Sequence, residues 1–216
     1  MNRYLRVDKF IEKVKKQIRK EYNYLLVTGF DELNVVTTAN KTKAQYKRMK
    51  SFNEREYQEI AKDALKTAQS LLTASEKRKA NGIIAEDIVE DTILGYNAVT
   101  GYLYEPESER KRLRQAEEMM TAVTFQDRQM YEKALKRSAN LWAGQSAQYA
   151  LDITDNTYLE TFKMAGVKKV QWITKIDGRE CEICRERHMK VYPIDKVPKK
   201  PHPNCRCIQV PLRDEK

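Results

Sequence analysis

Residues 168–212 read KKVQWITKIDGRECEICRERHMKVYPIDKVPKKPHPNCRCIQVPL, and they contain every cysteine of the 216-residue chain. The four thiols form two close pairs, Cys181 with Cys184 and Cys205 with Cys207. In a cytoplasmic chain this clustering favours a metal site over disulfides, because reducing thiol buffers keep structural disulfides rare. A redox-active C-x-x-C is a third interpretation, but no thioredoxin-like βαβ pattern surrounds it. The sequence therefore predicts a metal site in this segment.

The spacing of the ligands indicates zinc. Two donors separated by two residues share one tight turn, and two such turns complete the tetrahedron that zinc prefers. Cys181 and Cys184 form the first turn, and His202 and Cys205 have the same spacing. We therefore predict a structural zinc ion held by these four residues. Cys207 is the alternate ligand, because residues at i and i+2 on a strand face the same side.

Other polar residues lie beside the predicted site. His188 is the only other histidine, and we predict a surface or hairpin position for it, although a nuclease would use it as a base. Asp177 and Arg179 are predicted to pair or to orient the first turn by hydrogen bonds, with a simple polar turn as the alternative. Val170 and Trp172 alternate as in a half-buried strand.

Helices dominate the chain before residue 168. No proline precedes Pro106, and five of the six prolines lie in the last 24 residues, which places most loops late in the chain. Apolar residues from Val7 to Leu25 recur at spacings of three and four. This stripe predicts a helix that ends near Thr28 and Gly29.

The second helix is predicted from a cap. Ser51 and Glu54 fit a capping box, in which the hydroxyl accepts from the first turn and the carboxylate reaches back. The apolar residues that follow, as far as Leu71, predict a helix beginning there. Residues 30–50 lack a clean period and predict a flexible connector, with a short helix over 41–50 as the alternative.

Residues 81–166 are predicted to be mostly helical. The predicted elements are a short helix over 83–93, a Tyr/Gly-rich hairpin or loop near 95–105, a helix over 106–123, a helix from about Asp127, and a separate shorter helix from Asp155 through Ala165. Gly166 is predicted to end the last helix in the left-handed conformation.

These patterns together predict a mainly α fold, with an elongated helical region followed by a small zinc-stapled β-hairpin module at the carboxy terminus. The predicted boundaries are a basic helical region over 1–80, a helical middle region over 81–166 and the zinc-binding module over 167–216. Leu, Ile, Val and Phe total 46 of the 216 residues, so we expect a thin core. From the length we expect one core with a small appendage rather than a large multidomain enzyme.

No stretch reaches the roughly 18 apolar residues of a membrane span, so we expect none. The amino terminus is charged and lacks an apolar signal core, so we expect the protein to be made and to work in a cytoplasm.

Positive charge is concentrated at the two ends of the chain. Residues 1–80 carry a net charge of +9, residues 81–140 carry −3 and residues 141–216 carry +4. Basic ends favour a polyanion such as nucleic acid or an acidic protein surface, although a solvated helix face gives the same pattern. The candidate binding residues are Lys13, Lys15, Lys16, Arg19, Lys20, Lys199, Lys200 and Arg206.

The carboxy-terminal motifs also carry a resemblance. Three motifs follow one another: W-x-T-x-x-D-x-R-x-C-x-x-C from Trp172, K-V-Y-P-x-D from Lys190, and P-x-x-P-H-P-N-C-R-C from Pro198. Together they resemble the phage minor head protein family of the Mu F-like head-morphogenesis type. The similarity extends upstream to Tyr96 and covers roughly the second half of the chain. Its matching site positions are the four cysteines and His202.

This resemblance implies a low-copy structural component of a virion. It implies association with the portal protein, with scaffold or major capsid protein as further partners, a place in the capsid interior or portal region, and assembly in the host cytoplasm. A DNA-binding protein ejected with the genome is the first alternative. A zinc-dependent nuclease or toxin-type enzyme is the second, but we expect no enzyme, because the chain has no HExxH motif and no phosphate-binding glycine loop.

Overall fold

The computed structural model describes residues 3–30, 34–97, 102–176, 178 and 180–213. Its α-helices are α1 (Leu5–Thr28), α2 (Val35–Ser70), α3 (Ala74–Lys79), α4 (Ala85–Leu94), α5 (Tyr104–Thr124), α6 (Arg128–Met164) and α7 (Glu182–Arg187). Its strands are β1 (Tyr96–Asn97), β2 (Tyr102–Leu103), β3 (Lys169–Ile173), β4 (Val191–Pro193) and β5 (Ile208–Leu212). The predicted mainly α fold with a small carboxy-terminal β module is confirmed. Among these described residues, no helix is both long enough and apolar enough to cross a membrane.

Helix α1 ends where the sequence predicts, at Thr28. The stripe that includes Phe10 and Val14 is buried, because it faces the other long helices. The N–H of Gly29 donates to the carbonyl of Leu25 at 2.8 Å and closes the last turn. A Cβ on Gly29 would clash with the hydroxyl of Tyr131 and would lie 2.6 Å from the backbone carbonyl oxygen of Leu25, so glycine fits here without a local shift.

Helix α2 is longer than the sequence predicts. The prediction of a flexible connector over residues 30–50 was wrong, because α2 begins within that range. The helix begins at Val35, and the side chain of Asn34 caps it by accepting from the N–H of Thr37 at 3.1 Å. Its first turns bury a largely polar stripe, made of Thr38, Thr42, Gln45 and Met49. A search for apolar periodicity cannot detect such a stripe. Ser51 lies inside the helix, so the predicted capping box does not start it.

Helix α6 is continuous, whereas the sequence predicts two helices with a break before Asp155. The polar side chains near the expected break form hydrogen bonds that do not interrupt the helix. Thr154 and Thr157 each donate a hydroxyl hydrogen bond to the backbone carbonyl four residues earlier. Asp155 is buried and pairs with distant residues instead of capping a new helix.

The core forms around α6, which packs against α1, α2, α4 and α5. Aromatic residues from three helices meet in its centre: Phe10 lies edge-on to Tyr57 with ring centroids 5.6 Å apart, and Tyr57 contacts Tyr149 at 6.1 Å. Helix α6, with 37 residues, is therefore the element on which the other helices of the body pack.

The carboxy-terminal module follows α6 directly. Gly166 has φ +81° and ends the helix in the left-handed conformation, as predicted. The strands form an antiparallel sheet in the order β4–β3–β5, so a third strand joins the predicted hairpin. Val170 and Trp172 of β3 are fully buried. Strands β1 and β2 pair antiparallel in the middle region; residues 98–101 of that predicted loop lie outside the described residues.

Candidate metal centre

The cysteines and His202 meet in the carboxy-terminal module. Cys181 starts α7 and Cys184 lies in its first turn, while the other donors lie in the segment just before β5. The donor atoms form two groups within which all separations are under 4.8 Å. One group contains Cys181, Cys184 and His202, and the other contains Cys184, Cys205 and Cys207. The other four predicted donors therefore surround the buried Cys184 sulfur.

Two of the separations match the edges of a tetrahedral zinc site. The Cys184 sulfur lies 3.6 Å from the Cys205 sulfur and 3.4 Å from Nε2 of His202. Bond lengths of about 2.3 Å to sulfur and about 2.0 Å to nitrogen give tetrahedral edges of about 3.8 Å and 3.5 Å. These residues therefore form a cluster of four cysteines, or of three cysteines and one histidine, that is consistent with a structural metal such as zinc.

The ring of His202 is oriented as a metal ligand requires. Its Nδ1 lies 2.9 Å from the carbonyl oxygen of Pro203, and a proton on Nδ1 satisfies that acceptor. This tautomer leaves the Nε2 lone pair directed at the Cys184 sulfur. A carbonyl partner on the second nitrogen is the usual device for fixing a ligating histidine.

Thr174 supports both halves of the cluster. Its hydroxyl donates to the carbonyl of Cys184 at 2.7 Å and lies 3.2 Å from the Cys207 sulfur. Its own N–H donates to Nδ1 of His188 at 3.1 Å. His188 therefore holds the loop after β3 and lies in the module rather than among the donors.

The pKa values of three of the cysteine thiols are shifted in different directions. The pKa of Cys207 is lowered to about 5, chiefly by the hydrogen bond from Cys205, which outweighs the opposing effect of burial. The pKa of Cys205 is raised by the same hydrogen bond and by burial, and burial raises the pKa of Cys184 to about 12. A metal ion binds thiolates, so it would displace the remaining protons. A cavity of about 410 Å³ beside the cluster gives an ion access to it.

A buried polar network joins this module to the start of α1 and to α6. The Tyr4 hydroxyl donates to Asp155 at 2.7 Å, and Lys200 forms an ion pair with the same carboxylate. Lys200 also donates to the carbonyl of Cys205 at 2.9 Å. Arg3 donates to the side chain of Gln209 in β5 at 3.4 Å. Sequence reasoning missed Tyr4 and Asp155, because no local pattern reports a contact between residues 151 positions apart.

The predicted polyanion-binding residues are in different environments. Lys16, Arg19 and Lys20 are exposed on α1. Among the others, Lys13 pairs with Glu56, Lys15 with Glu12 and Arg206 with Asp8. At Lys199 the backbone carbonyl accepts a hydrogen bond from Arg187. Lys200 lies inside the network just described, so it contributes to the fold rather than to a basic surface. Asp177 and Arg179, predicted to orient the first turn, lie outside the described residues.

Comparison with protein-family models, with curated proteins and with solved structures finds no match to this chain.

Replacing Cys184 by serine removes the one sulfur that belongs to both donor groups. We expect the variant to lose bound zinc and to unfold residues 168–212 while most of the helical circular dichroism remains, since a small β module has little core without a metal. Metal analysis and limited proteolysis measure both effects. His188→Gln is the matched control and should keep zinc. Retention of zinc by Cys184→Ser would refute the assignment.

Asp152 gives a prediction about pH. Burial and the neighbouring Asp155 raise the pKa of its carboxyl to about 8. The folded state therefore holds a proton that the unfolded chain releases near pH 4, so stability falls as pH rises from about 4 to 8. Asp152→Asn keeps an acceptor for Gln148, which donates to Asp152 at 3.0 Å, without this penalty. One pKa unit corresponds to about 1.4 kcal/mol, so we expect the variant to be at least about 1 kcal/mol more stable at pH 8.

Denaturant unfolding at pH 5 and pH 8 measures this difference. Asp63→Asn, at an exposed position of α2, is the control and should change little at either pH. The same stability difference between Asp152→Asn and the natural chain at both pH values would contradict the prediction.

Proposed function

We propose that this chain is a phage minor capsid protein of the Mu F-like type, a low-copy structural component associated with the portal protein. The best support is that Trp172, Thr174, the cysteines and His202, which carry part of the sequence resemblance, lie together in one site. Trp172 packs with the cysteines, and Thr174 contacts both halves of the cluster. Scaffold or major capsid protein are its further partners, and its location is the capsid interior or portal region after assembly in the host cytoplasm.

The proposed zinc ligands are Cys181, Cys184, His202 and Cys205. The 2.9 Å distance from Nδ1 of His202 to the Pro203 carbonyl oxygen supports its part in this set, and the 3.6 Å separation of the Cys184 and Cys205 sulfurs supports the fourth member. Cys207 is the alternate ligand. In this assignment Cys205→Ser loses the ion and Cys207→Ser keeps it.

The proposed role of the ion is structural rather than catalytic. Four protein donors leave no open position for a water or a substrate. The one histidine outside the cluster, His188, accepts the N–H of Thr174. The ion instead holds a small module against a long helical body, which suits a component that assembles with larger partners.

A DNA-contacting role is the second candidate, and one feature of α1 favours it. Lys9, Lys13, Lys16 and Lys20 follow each other at spacings of four, three and four, and all four are exposed, with Lys13 also paired to Glu56. They form a cationic stripe about 16 Å long on the outer side of the helix. Such a stripe can contact several phosphates along one nucleic-acid backbone.

Quantitative mass spectrometry of purified procapsids and DNA-filled particles tests the proposed function. We expect the chain in both particles at a low and fixed number of copies per portal. Loss from the particle after DNA ejection would favour the second candidate. Absence from both particles would contradict the proposal.

The triple variant Lys16→Gln, Arg19→Gln, Lys20→Gln tests the second candidate. We expect weaker binding to duplex DNA and a salt dependence that is shallower by about one per lost phosphate contact. Lys66→Gln, Lys133→Gln, Lys136→Gln removes three exposed cations elsewhere and should change binding less. Equal losses in the two variants, measured by fluorescence anisotropy over a salt series, would exclude a specific role for α1.

A further inference from the structure

The proposed zinc centre has one donor more than a tetrahedral ion uses. With Cys181, Cys184, His202 and Cys205 as the ligands, Cys207 is left beside the ion as an unused thiol. Its sulfur lies within 4.8 Å of the sulfurs of both Cys184 and Cys205. A thiol this close to two ligand thiolates can exchange into a disulfide with one of them after oxidation.

A small reagent can reach Cys207, although the residue is only 4% exposed. Cys207 lines the cavity of about 410 Å³ beside the cluster, together with Cys184 and Cys205. One water molecule occupies about 30 Å³ in the liquid, and hydrogen peroxide is little larger than water. The cavity therefore admits a peroxide to the Cys207 sulfur.

The backbone at Cys207 belongs to the contact between the carboxy-terminal module and the helical body. The hydroxyl oxygen of Tyr4 lies 3.0 Å from the carbonyl oxygen of Cys207. The neighbouring Arg206 forms an ion pair with Asp8 of α1 at 2.9 Å. A covalent change at Cys207 therefore acts on the attachment of the module to α1.

We propose that Cys207 is a site of oxidation by peroxides, and that its disulfide with Cys184 releases the zinc ion. This inference rests on the proposed zinc centre. A thiolate bound to the ion shares its lone pair with it, whereas the unbound Cys207 thiolate remains a full nucleophile. Cys184 is the partner because a bond from Cys205 would close across Arg206 alone and would be strained.

The reaction proceeds in two steps. The Cys207 thiolate attacks one oxygen of hydrogen peroxide, the O–O bond breaks, and hydroxide leaves a sulfenic acid on Cys207. The Cys184 thiolate then attacks the Cys207 sulfur and displaces a second hydroxide. Two thiolates and one hydrogen peroxide thus become one disulfide and two hydroxide ions, and the thiolates supply the two electrons that reduce the peroxide.

The disulfide dismantles the centre because Cys184 is the sulfur shared by both donor groups. Neither the chosen ligand set nor its alternative with Cys207 retains four donors after Cys184 is consumed. Cytoplasmic thiol buffers keep cysteines reduced, so the zinc stays bound during assembly in the cytoplasm. Oxidation outside a reducing environment then loosens the module from the helical body.

Zinc release from the purified, zinc-loaded chain under hydrogen peroxide tests the proposal. A chromogenic zinc chelator follows the release, and mass spectrometry of tryptic peptides identifies the first disulfide. Trypsin cleaves after Arg206, so Cys205 and Cys207 fall in different peptides. Cys207→Ser is the test variant, and His188→Gln, at a residue of the same module that is not a donor, is the matched control.

We expect the natural chain and His188→Gln to release zinc at the rate at which the Cys184–Cys207 disulfide forms. Cys207→Ser should carry zinc as purified and should release it at least about tenfold more slowly. Limited proteolysis should cut residues 168–212 of the oxidised natural chain, and dithiothreitol with added zinc should restore protection.

Several outcomes would overturn the inference and leave the zinc centre intact. They are a natural chain that keeps its zinc under peroxide, a Cys207→Ser variant that loses zinc as fast as the natural chain, and a first disulfide with any other pairing. A Cys207→Ser variant that is purified without zinc would make Cys207 a ligand and would also overturn it. A natural chain purified without zinc would instead overturn the proposed metal centre itself.

Discussion

The carboxy-terminal module depends on the convergence of donor atoms around the buried Cys184 sulfur. Two short segments, one at the start of α7 and one before β5, supply these donors. Apart from Trp172 and Val170, few large apolar side chains of the module are fully buried. A sheet of three short strands with so small a core needs another source of stability. A metal ion that joined the two segments would provide it, because its binding free energy would become folding free energy.

The buried carboxylate of Asp155 connects this module to the rest of the molecule. It meets Tyr4 from the amino-terminal end and Lys200 from the module, and Lys200 in turn holds the carbonyl of Cys205. The position of the cluster is thereby tied to α6 and to the first turn of α1. Removing one partner of such a network leaves a buried charge without compensation, which is costly. The network therefore makes the module part of one structure with the helical body.

The sequence predicts some elements of the fold and of the cluster well and others poorly. The cysteine spacing predicted the members of the cluster, because ligand geometry is local to each turn. The apolar stripe of α1 predicted that helix and its end. The first half of α2 could not be predicted, because its buried stripe contains Thr38, Thr42 and Gln45, whose burial depends on tertiary contacts. The choice between Cys205 and Cys207 also depends on how the segment that carries them approaches α7, which spacing does not determine.

Zinc K-edge X-ray absorption on the purified full-length chain tests the proposed metal centre most directly. We expect about one zinc ion per chain, with a first shell of sulfur at about 2.3 Å and one nitrogen at about 2.0–2.1 Å. A shell of sulfur alone would place Cys207 in the site instead of His202. A protein that carries no zinc above trace level, or a zinc ion bound only by oxygen and nitrogen, would contradict a structural zinc site built on these cysteines.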